Sequence, residues 1–206
     1  MVRQEECLGT GQAAPRRLRA QAITLTPEQL KDLVRTVPDF PAKGIQFRDI
    51  TTLLAHGEGL RATIDHLARL ARDAGGAHGF AAVAGMEARG FIFGAALAEK
   101  LGTGFLPLRK PGKLPVETIS VDYDLEYGSA RLELDPTLVR AGEAVLVVDD
   151  LIATGGTALA GVDLIRRAGG ICDQALFVID LPDLGGADAL RAAGVSVSAL
   201  LDFPGH

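Results

Sequence analysis

Val145–Val148 is an unbroken apolar run that ends in two aspartates, Asp149 and Asp150, and the small-residue turn Ala153-Thr154-Gly155-Gly156-Thr157 follows almost at once. A run without alternation predicts a strand covered on both faces, the habit of parallel sheets. Parallel neighbours need a crossover. The segment supplies one: a strand over 144–149, a helix over 156–168 stopped by Gly169-Gly170, and a further strand over 175–180. An α/β architecture follows from this stretch alone.

The pattern has an earlier copy. "FAAVAGM" (80–86) reads as a buried strand, "GFIFGAALAEKLG" (90–102) as a helix and "GFLPLRK" (104–110) as a second strand. Between Glu117 and Asp135 the period changes to two, with Ile119, Val121 and Tyr123 and then Leu132 and Leu134 on one side. That predicts an antiparallel flap beside a mainly parallel, helix-flanked sheet. Upstream, Thr26-Pro27-Glu28-Gln29 carries the signature of a capped helix running to about Val34. Residues 58–74 place Leu60, Ile64 and Leu67 on one helical face, and 38–54 read as a loop leading into a short extended or turn segment.

At 206 residues, of which 48% are hydrophobic, the chain is long enough for one well-packed domain and short for two. We assign 23–206 to that domain. Residues 1–22 contain four arginines and no apolar core, so they are not a secretory signal; they read as a disordered tail or as a start site placed too far upstream. A net charge of −5 speaks against a nucleic-acid binder. Cys7 and Cys172 are isolated, as in a reducing compartment, and the four histidines have no metal-ligand spacing. Charged residues or glycine interrupt every apolar run, so no membrane span is expected, and the protein is expected in the cytoplasm.

Two carboxylates at a buried strand end repel each other and are costly to desolvate. A ligand accounts for them. Ligands on parallel sheets sit beyond the carboxyl ends of strands. The 153–157 turn, entering a helix, offers backbone N–H groups and two hydroxyls as an anion nest. Each charge-assisted hydrogen bond contributes about 1.5–3 kcal/mol, so a few hold one phosphate. Carboxylates beside a phosphate cradle suit the vicinal hydroxyls of a sugar phosphate. The turn lacks the lysine of a P-loop and the glycine spacing of a dinucleotide fingerprint.

Two acidic residues after an apolar strand, then Ala-Thr-Gly-Gly-Thr, resemble the ribose-phosphate signature of the type I phosphoribosyltransferases. "DFPAKGIQFRDIT" (39–51), "GMEARGFIFG" (85–94) and "RKPGKLP…DYDLEYG" (109–128) are similar to the adenine-specific members, in order and spacing from about Pro38 to Leu181. The resemblance implies transfer of a phosphoribosyl group from phosphoribosyl pyrophosphate to adenine, with Mg²⁺ held mainly by substrate and water. It also implies a homodimer. On it, Asp149 and Asp150 hold the ribose hydroxyls, Ala153, Thr154, Gly155, Gly156 and Thr157 wrap the 5′-phosphate, and Arg89 faces the pyrophosphate.

As a plain surface residue Arg89 would be misplaced, because a helix start disfavours a cation. Arg109, Lys110 and Lys113 are a basic cluster read either as a pyrophosphate grip or, for Lys110 alone, as a solvated charge. The resemblance makes Glu126 the catalytic acid–base at the purine; on the local pattern it is an exposed glutamate of the flap. It likewise places Phe47, Arg48 and Leu181 at the base, although core packing serves equally for Phe47 and Leu181. Gln46 stands where the family often has an aliphatic residue. Two other functions stay open at this stage, a transferase for another purine base and a non-catalytic binder of the same sugar phosphate.

Overall fold

The structure, a computed structural model, describes residues 25–75, 79–124 and 129–205. The N-terminal part is a small hood: α1 (Pro27–Asp32), an antiparallel pair β1 (Arg35–Pro38) and β2 (Gln46–Asp49), and α2 (Thr51–Ala55). Thr26 and Gln29 close the expected capping box on α1, which stops two residues short of Val34. The loop expected after Pro38 runs over 39–45 and leads, as expected, into a short extended segment, β2; the pairing of that segment with β1 was not foreseen, because β1 is four mostly exposed residues with no apolar period. Asp39, at φ 57°, turns the chain between the two strands, and its carboxylate accepts the Gly44 N–H at 2.7 Å.

The body begins with α3 (Gly57–Gly75), followed by β3 (Ala82–Met86), α4 (Arg89–Leu101) and β4 (Gly104–Leu108). The flap is β5 (Ile119–Asp124) and β6 (Ser129–Leu134), paired antiparallel from Ile119 opposite Leu134 to Asp124 opposite Ser129. Then come β7 (Val145–Ile152), α5 (Gly156–Arg167), β8 (Gln174–Asp180), α6 (Gly186–Ala192) and β9 (Ser196–Asp202). The last helix and strand had no counterpart in the sequence reading.

Five strands form one parallel sheet in the order β4-β3-β7-β8-β9. The chain leaves β3 outward to β4 and then returns to β7 on the other side of β3. The winding direction therefore reverses between β3 and β7, where open parallel sheets form a ligand crevice. Val145–Val148 are between 0% and 2% exposed, because side chains alternate into two separate cores. Val145 and Val147 pack with α5, α6 and the flap's Leu132 and Leu134, whereas Leu146 and Val148 pack with α3, α4 and the hood. Burying each such side chain contributes about 1.5–3 kcal/mol, enough for this strand to carry a destabilising acidic end.

Candidate active site

β7 does not stop at Asp149. It runs three residues further, to Ile152, so both aspartates are members of the strand rather than its exit. β8 keeps pairing past them, Leu151 lying opposite Ile179 and Ile152 opposite Asp180. The backbone under the two carboxylates is thereby fixed in the sheet, a firmer mounting than a loop.

A cleft of about 810 Å³ opens at the switch point. Its floor is Asp149–Ile152, one wall is the turn Ala153–Thr157, and the opposite wall is Glu87, Ala88 and Arg89. Phe47 of the hood, Tyr123 and Ala130 of the flap, and Lys110 complete it. Three parts of the fold thus meet over one acidic pair.

The 153–157 corner of the cleft is built from backbone. Gly155 adopts φ 86°, a left-handed conformation that favours glycine, and α5 begins at the next residue with no side chain capping it. Leu159 is the residue whose N–H reaches back to the Gly155 carbonyl, at 2.9 Å, so the amides ahead of it face outward at the positive end of the helix dipole. The turn is braced from outside: the Gly186 N–H donates to the Ala153 carbonyl at 2.9 Å, and the Leu181 N–H donates to the Ile152 carbonyl at 3.1 Å.

Electrostatics confirm that the acidic pair is under load. Burial first, and then the neighbouring charge of Asp150, push the Asp149 carboxyl well above the usual carboxylate range. Its Oδ1 accepts the Asp150 N–H at 2.8 Å. The Asp150 carboxylate, 5% exposed by residue, is ion-paired with Nε of Arg89. Burial alone would lower the Arg89 pKa, but the charge and hydrogen bond of Asp150, with Asp149 behind it, raise it instead. The guanidinium is still about half exposed to the cleft. Gly90 is what lets α4 come this close, since a Cβ there would lie 2.7 Å from the Asp149 Oδ1.

The basic cluster divides. Lys110 lines the cleft, whereas Arg109 donates from Nε to the Glu87 carboxylate at 2.9 Å and its guanidinium lies 5.7 Å from the centre of the Phe91 ring. Glu87 also accepts the Lys110 N–H at 2.9 Å, and these bonds, that of Arg109 first, hold its carboxyl below the usual range. Lys113 lies exposed on the following loop, away from the cleft lining. Arg48 and Leu181 are also outside that lining: Arg48 points to the C-terminal segment and Leu181 packs in the core with the hood. Glu126 lies outside the described residues, between strands whose Tyr123 and Ala130 both reach the cleft.

Three contributors escaped the sequence reading: Glu87, which ties the basic segment to β3; Gly90, which admits α4; and Gly186, which braces the 153–157 turn. Only Glu87 carried a signal, as a carboxylate two residues before Arg89. Among the described residues no three His, Cys, Asp or Glu side chains group as a metal site, and no helix is long and apolar enough to cross a membrane.

Known proteins match this arrangement closely. The family model of the phosphoribosyl transferase domain matches residues 49–179. An adenine phosphoribosyltransferase of Novosphingobium aromaticivorans is 67% identical over 182 residues, 88% of this chain and all of that one. Another, from Cereibacter sphaeroides, is 54% identical over 88% of this chain and 99% of its own. Among solved structures, the adenine phosphoribosyltransferase of Thermoanaerobacter pseudethanolicus superposes with a TM-score of 0.80 at 44% identity, over 86% of this chain and all of that one. The Saccharomyces cerevisiae enzyme, solved in complex with an imino-altritol bisphosphate and adenine, gives 0.81 at 35% identity over 85% and 98%. A family model across well over half the chain, relatives this similar over nearly their whole length, and a switch-point cleft of this build together establish that the chain belongs to the phosphoribosyltransferase family, alongside its adenine phosphoribosyltransferases.

Proposed function

We propose that the protein transfers the phosphoribosyl group of phosphoribosyl pyrophosphate to N9 of adenine, releasing pyrophosphate and forming AMP, a step of purine salvage. The observation that carries this is the meeting, in one cleft, of the uncapped 153–157 turn, the Asp149–Asp150 pair and Arg89. The turn's amides take the 5′-phosphate and the carboxylates accept from the ribose hydroxyls. Arg89 and Lys110 then face the pyrophosphate, with Arg109 and Lys113 adding positive potential from the adjoining segment. Similarity to adenine phosphoribosyltransferases over 88% of the chain supports adenine as the base.

Cleaving the anomeric C–O bond builds positive charge on the ribose ring and negative charge on the leaving pyrophosphate. Asp149 and Asp150 stabilise the former, and Arg89 and Lys110 the latter, from positions already set before reaction. Occupation of the cleft by the hydroxyls and pyrophosphate requires the Arg89–Asp150 pair to part, freeing each for its own end of the substrate. A substrate-bound Mg²⁺ would add Lewis-acid charge stabilisation at the pyrophosphate. The Asp149–Asp150 pair lines the same cleft and would meet a cation carried in by the oxygens of the substrate and by water. Phe47 walls the base side of the cleft. Glu126 manages the proton at N7 as N9 attacks, for which closure of the flap must raise its pKa. Homodimeric assembly and a cytoplasmic setting belong to the same reading and rest on the resemblance alone.

The reading is tested by pyrophosphate release. Wild-type protein supplied with Mg²⁺ and phosphoribosyl pyrophosphate is expected to release pyrophosphate only when adenine is added. Glu126→Gln is expected to lose about 10²–10⁴-fold in kcat while binding phosphoribosyl pyrophosphate normally. Binding of the sugar phosphate by wild type without release on adding adenine would make the protein a sensor; near-normal turnover by Glu126→Gln would remove that residue from the chemistry.

A further inference from the structure

The Arg48 side chain turns away from the cleft and onto the C-terminal segment. Its Nη2 donates to the Pro204 carbonyl at 3.1 Å, its Nη1 donates to the Thr36 hydroxyl at 2.7 Å, and its Cζ lies 4.9 Å from the centre of the Phe203 ring. Lys31 of α1 stands over the same ring, its Nζ 4.8 Å from the centre. Phe203 is 7% exposed, so this ring is a buried anchor rather than a surface group. The segment is itself tied to the body: the Phe203 N–H donates to the Asp180 carbonyl at 3.0 Å, and the Gly205 N–H to the Asp183 carboxylate at 2.6 Å. Phe47, the hood's contribution to the cleft wall, is the neighbour of Arg48 on a four-residue strand.

We propose that Arg48 is a positioning residue, which clasps the hood to the Phe203–Gly205 segment and thereby sets where Phe47 stands relative to the phosphoribosyl cradle. The clasp governs affinity for the base and leaves the sugar-phosphate subsite alone, because the 153–157 turn is held by backbone bonds from Leu181 and Gly186 in which neither Arg48 nor Phe203 takes part. It rests on the reading of the hood as the base side. It also gives the C-terminal segment a part in base binding.

The test is a split between two Michaelis constants. Arg48→Met keeps chain length over the ring but removes the donors. It is expected to raise KM for adenine about tenfold, the worth of one charge-assisted hydrogen bond. KM for phosphoribosyl pyrophosphate should stay within about twofold of wild type, since the clasp does not touch that subsite. Arg48→Lys, which keeps a cation over the ring, should recover part of the loss, and Phe203→Leu should reproduce it with apolar packing retained. Amide exchange over 46–49 should quicken in Arg48→Met and Phe203→Leu. An unchanged adenine KM, or both constants rising together with a fall in Tm, would overturn the proposal. If wild type proves to use another base, the reading of function fails but the clasp is judged on that base's KM by the same split.

Discussion

Gly186 offers a sharp test of how the phosphate turn is held. It does not contact the expected position of the substrate, and its φ is not in the left-handed region, so alanine suits it conformationally. As the first residue of α6 it would even gain in helix propensity, by up to about 1 kcal/mol. The obstacle is steric. A Cβ at 186 would run into the Ala153 carbonyl oxygen and lie 2.7 Å from the Gly155 nitrogen, both backbone atoms of the turn. Relief requires α6 and the turn to move apart, breaking the 2.9 Å bond from the Gly186 N–H to the Ala153 carbonyl. Overpacking of this kind costs about 1–3 kcal/mol, and the lost bond about 0.5–1.5 kcal/mol. Less the helix gain, Gly186→Ala should lose roughly 0.5–3.5 kcal/mol of stability, a Tm fall of roughly 1–14 °C for a domain of this size. The turn that moves is the phosphate cradle, so KM for phosphoribosyl pyrophosphate should rise at least about tenfold, as expected for a small displacement of a positioned site. Initial rates with each substrate varied in turn, beside a thermal melt, read both. A variant with unchanged KM for phosphoribosyl pyrophosphate would show that the brace is irrelevant to the cradle.

Two further expectations follow from charge. Because burial and Asp150 raise the Asp149 pKa, its ionised form costs folding free energy above the ordinary carboxylate range, and the cost vanishes as pH falls below that range. Asp149→Asn should therefore melt higher than wild type at pH 7–8, lose that advantage towards about pH 4, and fail to bind phosphoribosyl pyrophosphate. A lower Tm at neutral pH would refute the account of the acidic pair. Asp49 is the opposite case: hydrogen bonds from Thr51, then Arg35, hold its pKa down to about 2. Its contribution to stability is full above the usual carboxylate range and lost as pH falls through about 2. Urea midpoints measured between pH 5 and pH 2 should fall less for Asp49→Asn than for wild type, and parallel curves would show that the hood pair is not linked to folding.

What the chain disclosed in advance depended on how local the determining physics was. The crossover units around β3 and β7 were legible because apolar runs, glycine stops and amphipathic spacing all act within a few residues. The antiparallel flap was legible by its period of two. Of the hood hairpin, the loop and the short extended segment after it were legible; β1 was not, since its four residues, Arg35 to Pro38, are mostly exposed and leave no apolar pattern. Asp149 and Asp150 looked like the end of a strand because carboxylates interrupt apolarity; pairing with β8 keeps the backbone extended to Ile152. The tight 153–157 turn into α5 could be read because it is contiguous in sequence. The engagement of Arg109 by Glu87 could not, because the partners stand 22 residues apart and meet only when β3 and β4 pair. The brace from Gly186 is likewise tertiary.

The function proposed for the cleft turns on transfer of the phosphoribosyl group to adenine in particular. The most direct measurement is a competition: limiting phosphoribosyl pyrophosphate, Mg²⁺, and equal concentrations of adenine, hypoxanthine, guanine and xanthine, with the nucleotide products separated and counted. AMP is expected as the dominant product, with pyrophosphate released in equal amount. A different nucleotide in the majority, or no nucleotide from protein that still binds phosphoribosyl pyrophosphate, would contradict it.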